Sequence, residues 1–322
     1  MTRRRIGVLV AIAVPVVAAL IVGLLLSRTG GLDSDSWSDS ARAYSIEELG
    51  VLTDCGADPT AARVDGGIRV YFIDGGGECS GFGSQPDSIF LPDNGDSPIE
   101  EAGRRFTFGG NVGPHRRIFE LPDGRYRMYF STSMDSPQTG IGSAISSDGL
   151  NFEEEPGLRI SIEQAGVDPR PALSVGEIVQ TPDGRYRMYF SSMAFQERDP
   201  ERDVEVIKSA VSSDLLTWEV EEGDRIGGES PLPGSGEHPS AIVNSDGSVT
   251  LFYGRPSNEW GLYSSTSIDG LNFTEEQFLI PRVLDSSFVA QTDGTILGFI
   301  GRRNMETDTS FIDRILLTPQ DG

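Results

Sequence analysis

The chain has 322 residues and a formal charge of −23, with 49 Asp and Glu against 26 Lys and Arg. A phosphate backbone would be repelled by that field, so nucleic acid is excluded as an expected partner. The length admits one large domain or two ordinary ones.

Arg3, Arg4 and Arg5 precede Ile6 to Leu26, a stretch without a charged residue, which Ser27 and Arg28 end. It matches the ~20 apolar residues a helix needs to cross a ~30 Å hydrocarbon layer. The arginines would stay on the cytoplasmic side and place everything after Arg28 outside the cell. Residues 1–28 therefore read as an N-terminal transmembrane helix anchoring the protein in the cell membrane. The rival is a cleaved signal sequence and a secreted product, but LLLSRTGG gives no clean A-x-A cleavage site, and no cysteine follows the run to carry a lipid. Residues 29–43 (TGGLDSDSWSDSARA) are small, polar and acidic, and read as a flexible tether.

Beyond the tether, residues 44–322 read as one repeat domain. Cys55 and Cys79 are the two cysteines of the chain. In an exported domain an even number implies a disulfide, with two unpaired thiols as the alternative.

The nine letters PDGRYRMYF stand at 122–130 and again at 182–190. Weaker copies are DGGIRVYF (65–72), DGSVTLFY (246–253) and DGTILGFI (293–300). A second pattern follows: SSDGLNF (146–152), SSDLLTW (212–218) and SIDGLNF (267–273). A tandem unit of roughly 50 to 60 residues signals a propeller, array or solenoid. In the copy from 114 to 156, RRIFEL, RYRMYFS, IGSAISS and LNFEEE are apolar or alternating runs separated by turns, the period-2 signature of strands. Four antiparallel strands per repeat, repeated radially, make an all-β five-bladed β-propeller. The blades are expected over about 55–105, 111–161, 168–228, 236–281 and 284–319. The last shows three obvious strands, so YSIEELGVL (44–52) is expected to supply its outer strand and close the ring.

With Ser212-Ser213-Asp214-Leu215-Leu216-Thr217-Trp218 at the third turn of a blade, this architecture resembles the arabinanase, invertase and levansucrase superfamily, which includes glycoside hydrolase families 43, 32 and 130. The turn motifs specify the fold and not the substrate.

Counting back one fixed distance from the aromatic of each second strand lands on His115 from Tyr129, His238 from Phe252 and Asp285 from Phe299. From Tyr71, with one deletion, it lands on Asp58; from Tyr189 it lands on Val175, two before Glu177. Both histidines of the chain thus share one place in the repeat, on the innermost strand. Beyond the second strands come Asp74, Arg255 and Arg302. One rim of the channel is therefore expected to hold Asp58, Asp74, His115, Glu177, His238, Arg255, Asp285 and Arg302, with Trp260 nearby to stack on a sugar ring.

Glycoside hydrolysis needs two carboxyl groups flanking one bond. The resemblance implies Asp58, in Asp58-Pro59, as base or nucleophile and Glu177 as acid. A third carboxylate is expected in blade two, where this chain has His115; Asp168, in VDPRP, is the substitute. The arginines would hold substrate hydroxyls or a carboxylate. The resemblance also implies Ca²⁺ near a channel histidine, whereas by ligand chemistry alone His115 and His238 suit zinc or another transition metal. The function so read is an extracellular glycoside hydrolase-like protein processing a glycan at the channel mouth. The alternative is a non-catalytic propeller that binds a glycan or a protein. The S-x-D-G-x-x-F turns lack one residue of the sialidase spacing. With no GxSxG elbow and no phosphate loop, serine hydrolases and nucleotide enzymes fall away.

Overall fold

The computed structural model describes residues 42–76, 79, 88–101, 112–132, 139–166, 172–193, 205–256, 261–283 and 285–320. The expected anchor lies outside the described residues, as does 29–41 of the expected tether. Among the described residues no helix is long and apolar enough to cross a membrane.

Twenty strands run in chain order: β1 (Tyr44–Thr53), β2 (Ala57–Val64), β3 (Gly67–Ile73), β4 (Ser88–Pro92), β5 (Ile99–Glu101), β6 (Val112–Glu120), β7 (Tyr126–Thr132), β8 (Gly140–Ser146) and β9 (Glu153–Ser161). After the one-turn helix α1 (Ile162–Ala165) come β10 (Ala172–Gln180), β11 (Tyr186–Met193), β12 (Ile207–Ser212), β13 (Glu219–Val220), β14 (Glu237–Val243) and β15 (Val249–Arg255). The chain closes with β16 (Gly261–Ser267), β17 (Glu276–Pro281), β18 (Ser286–Ala290), β19 (Ile296–Asn304) and β20 (Thr309–Pro319). They form five 4-stranded sheets: β2 to β5, β6 to β9, β10 to β13, β14 to β17, and β18-β19-β20-β1. All pairings are antiparallel, and the first strand runs against the last, from Tyr44 opposite Pro319 to Thr53 opposite Ile312. Tyr44 packs its ring 5.9 Å from that of Phe252 in blade four. The protein is thus an all-β, five-bladed propeller in which the N-terminal strand closes the ring.

Alternation along each second strand sends side chains into both neighbouring interfaces. Met128 and Phe130 pack with Ala62, Val64 and Tyr71 of blade one. Tyr129, between them, packs with Leu173, Met188 and Trp218 of blade three. Five such clusters fill the five interfaces, so the hydrophobic pattern of the repeat is its own core.

The repeated letters also spell a latch. In blades one to three the Arg-x-Tyr of the second strand reaches two ways. Arg69, Arg127 and Arg187 pair with Glu101, Glu155 and Glu221 near the outer edge of their own blades, at 2.7, 2.7 and 2.8 Å. The tyrosine hydroxyls of Tyr71, Tyr129 and Tyr189 donate to the carbonyls of Gly149, Leu215 and Gly270 in the next blade, at 2.8, 2.6 and 2.7 Å. Those carbonyls sit in turns that Asp148, Asp214 and Asp269 organise by accepting backbone N–H groups two and three residues on. This turn occupies Leu150–Phe152, so the fourth strand of blade two begins at Glu153 rather than at Leu150 as expected.

Candidate functional site

The inner strands β2, β6, β10, β14 and β18 carry the residues that face the axis. Each of the first four has a bulge near its start, between Ala57 and Thr60, Val112 and Arg116, Val175 and Ile178, and Glu237 and Ser240. Asp58 and His238 stand inside two of these bulges, each with φ of 50° and each followed by proline. Left-handed backbone costs a non-glycine residue of order 1–3 kcal/mol and persists only where its surroundings fix it. At Gly176, the third bulge, an added Cβ would lie 2.5 Å from the Pro239 carbonyl oxygen. Blade three therefore needs glycine to nest against His238-Pro239.

Asp58, His115, His238 and Asp285 converge at one end of the channel. One ligand atom from each lies within 4.8 Å of the others. His115 Nδ1 is 3.5 Å from Asp58 Oδ1, and His238 Nδ1 contacts Asp285 Oδ1 closely. The two imidazoles meet edge to face, with ring centroids 4.3 Å apart. With Pro59, Arg116, Arg117, Ser174 and Val175 they line a cavity of about 10 Å³, room for about one water. Blade three contributes Ser174, a fully buried residue whose hydroxyl has no hydrogen-bond partner.

Burial opposes ionisation of Asp285, but the His238 cation outweighs it and holds that carboxyl well below the usual range. Burial likewise disfavours the His238 imidazolium, yet Asp285 pushes it up to about 10. Asp58 moves the other way, raised well above the carboxylate range by burial and then by the neighbouring Asp285 charge. His115 is pushed down to about 3 by burial and by the His238 cation. The cluster is thus an Asp285–His238 ion pair beside a neutral His115 and an Asp58 whose ionised form burial and Asp285 disfavour.

Glu177 lies one step deeper. The residues at the register of the second-strand aromatics are Thr60, Arg117, Ser240 and Ser287, and Glu177 falls in the bulge at the same level. Its Oε2 is 3.6 Å from Arg117 Nε and accepts from Ser240 Oγ at 3.3 Å. Burial raises its pKa against Arg117, the Ile178 N–H and Ser240. Arg117 spans the axis, donating to the carbonyls of Pro59 at 3.2 Å and Ser286 at 2.8 Å. Arg117 and Glu177 therefore form a bridge beneath the mouth, and Glu177 does not line the cavity.

Three rim expectations need correction. Arg255 reaches outward across β16 to Glu276, 2.7 Å away, and donates to the carbonyls of Pro233 and Ser235. Arg302 likewise turns to Asp313 at 3.0 Å and Glu48 at 3.2 Å on the outer strands. In both, carboxylates of outer strands draw the guanidinium away from the axis. Asp74 accepts the Gly76 N–H at 2.8 Å and shapes its own turn, beside the Cys55–Cys79 disulfide, which is formed. Asp168 and Trp260 lie outside the described residues. Sequence reasoning missed Arg117 and Ser174. Arg117 was available as the inward-facing neighbour of His115 two residues on; Ser174 carries no comparable signal.

No protein-family model matches the chain, and no curated protein matches it. Solved structures do. A family 43 β-xylosidase/α-arabinofuranosidase from a compost microbial metagenome, in complex with xylotriose, aligns with a TM-score of 0.60 at 17% identity, over 85% of this chain and 94% of that one. An endo-arabinase from Bacteroides thetaiotaomicron gives 0.58 at 14%, over 85% and 98%. A structure from the family 130 mannoside phosphorylases and hydrolases gives 0.56 at 14%, over 89% and 96%. The fold is that of the five-bladed glycoside hydrolase propellers. At such identities the likeness establishes architecture, and the site must be argued from its own residues.

The Ca²⁺ implied by the resemblance does not fit the donors found. Calcium takes 6–8 oxygen ligands. The ring offers two carboxylates and one hydroxyl beside two imidazoles, around space for about one water.

Proposed function

We propose that this protein is a glycan-binding propeller that keeps the glycoside hydrolase fold without a working hydrolytic pair among its described residues. One observation carries the reading: Glu177 is fastened to Arg117 and Ser240 beneath the mouth, outside the cavity that Asp58 lines. Hydrolysis also needs two carboxyl groups whose pKa values are pushed apart, one acid and one base. Asp58 and Glu177 are both raised. Asp285 is the carboxylate held low, but it is committed to His238, and its direct hydrogen bond with Asp58 leaves no room for a glycosidic bond between those two carboxyls.

Carbohydrate remains the favoured ligand class. The similar structures are glycoside hydrolases, one of them holding xylotriose. The mouth presents donors and acceptors in a fixed ring, the kind of surface that matches sugar hydroxyls. The cavity is too small for a sugar ring, so the sugar would lie across the mouth. Export to the cell surface, through the anchor at residues 6–26, is part of the same proposal. The charge-free run after Arg5 and the Cys55–Cys79 disulfide support it.

The test is a panel of plant, fungal and bacterial polysaccharides incubated with the full-length protein, scoring bound protein and released sugar together. Binding without release is expected. Release that disappears in Asp58→Asn or Glu177→Gln would overturn the reading and restore the hydrolase.

A further inference from the structure

We propose that Asp58, His115, His238 and Asp285 form a site for one divalent transition metal of the zinc type, seated in the cavity at the channel mouth. The four side chains come from four blades, and their ligand atoms already lie within 4.8 Å of one another. Zinc bonds of ~2.0–2.2 Å in tetrahedral geometry set neighbouring ligand atoms about 3.3–3.5 Å apart. His115 Nδ1 and Asp58 Oδ1 already stand at 3.5 Å, whereas His238 Nδ1 and Asp285 Oδ1, in direct contact without an ion, must part to admit one.

The donor chemistry selects the ion. Two imidazole nitrogens and two carboxylate oxygens suit zinc and its neighbours, whereas calcium and magnesium demand shells built of oxygen. Space agrees, since about 10 Å³ holds an ion or a single water and not a hydrated cation. Charge agrees as well. Two ionised carboxylates balance a divalent ion, and Arg117, which also lines the cavity, is already matched by Glu177. Arg116 adds one further positive group to the wall.

A second, independent feature points to a ligand there. Ser174 lines the same cavity, is fully buried, and its Oγ has no hydrogen-bond partner. A buried hydroxyl left unbonded costs ~1–3 kcal/mol. A metal-bound water or other exchangeable ligand in the cavity would satisfy it. The ligands are also held in place, because Asp58 and His238 sit at positive φ within bulges of the inner strands, a conformation that persists only where its surroundings fix it. An ion at this point would tie four blades together at the axis, and a ligand bound toward the mouth would be its fifth.

The experiment uses full-length protein in detergent, stripped with chelator and then given CoCl₂, ZnCl₂ or CaCl₂ alone. One equivalent of Co²⁺ should produce the visible absorption of a four- or five-coordinate site, stronger than that of hydrated Co²⁺. Zn²⁺ should abolish that absorption and raise Tm, and excess Ca²⁺ should do neither. His115→Ala and His238→Ala should each weaken Zn²⁺ binding by more than the ~10–100-fold that loss of an outer-shell partner costs. Lack of the cobalt spectrum in the unmutated protein, or Zn²⁺ binding in both variants as tight as in the unmutated protein, would overturn the proposal. The second result would assign the metal to the acidic surface. If a variant does not fold, the spectrum of the unmutated protein decides. No sugar enters this measurement, so it stands or falls apart from the glycan reading.

Discussion

His115 and His238, on the inner strands of blades two and four, stand edge to face with ring centroids 4.3 Å apart and planes at 89°. Two imidazolium ions cannot share that space. Asp285 settles which one is charged, since it contacts Nδ1 of His238, while the carboxylate nearest His115 Nδ1 is that of Asp58 at 3.5 Å, whose ionised form is disfavoured.

This asymmetry separates two substitutions that look alike. Asp285→Asn removes the counter-charge of a buried cation, which typically costs about 3–5 kcal/mol. Asp58→Asn replaces a carboxyl whose ionised form burial already disfavours and should cost about 1 kcal/mol or less. Urea denaturation of chelator-treated protein at neutral pH measures both. Equal losses would show that the ion pair is not where the structure puts it.

The Arg-x-Tyr latch makes a second prediction. Tyr129→Phe removes a hydroxyl bonded to the Leu215 carbonyl at 2.6 Å and leaves the ring in place. Arg127 Nη1 also donates to that carbonyl at 3.2 Å, so the acceptor keeps one partner. The expected cost is about 1 kcal/mol, an ordinary net hydrogen bond, rather than the upper end for a stranded polar group. Tyr189→Phe should cost more, toward ~3 kcal/mol, because Arg187 Nη1 donates to the Asp269 carbonyl at 2.8 Å and not to the Gly270 carbonyl that Tyr189 holds. A loss under a few tenths of a kcal/mol in both would remove the latch as a source of stability.

Acid should loosen the turns between the third and fourth strands. Asp214 is lowered to about 2 by the Thr217 backbone N–H, with burial opposing and the Leu216 N–H assisting. Asp269 is lowered to about 2 by the N–H groups of Asn272 and Leu271, which outweigh its burial. A folded pKa below the unfolded ~3.9 means stability that is present above that value and lost as pH falls from about 4 toward 2. Denaturant midpoints measured from pH 5 to pH 2 should therefore fall, and fall less steeply in Asp214→Asn. A variant with the parent's full pH slope would contradict this assignment.

Ring closure gives a fourth. Deleting residues 44–53 strips the outer strand from blade five, exposes the edge of β20 and removes Tyr44 from its contact with Phe252. The variant should melt well below the parent or aggregate through the freed edge. An unchanged Tm would mean that the fifth blade is stable with three strands.

Much of this fold was legible because the repeat writes its core twice over. Once Tyr129 and Tyr189 are aligned with Tyr71, Phe252 and Phe299, the blade count follows. The same alignment found the mouth, because Asp58, His115, His238 and Asp285 hold one register on the innermost strands. It misjudged Glu177 by two residues. On a pleated strand that shift keeps the same face but moves one layer along the channel, into the reach of Arg117. It failed for Arg255 and Arg302, whose direction depends on Glu276, Asp313 and Glu48 in outer strands that a count along one strand does not see. Ser174 was invisible because a serine in an apolar run acquires meaning only from what fails to bond it.

The most direct test of the account is a crystal structure of the protein with an oligosaccharide drawn from whichever polysaccharide it binds in the panel. The account predicts an intact chain of sugars lying across the mouth, in contact with Asp58, His115, His238 or Asp285, with Arg117 and Glu177 still bridged beneath it. Sugar bound on an outer blade face, or a cleaved product with Glu177 released from Arg117 and turned toward the sugar, would contradict it.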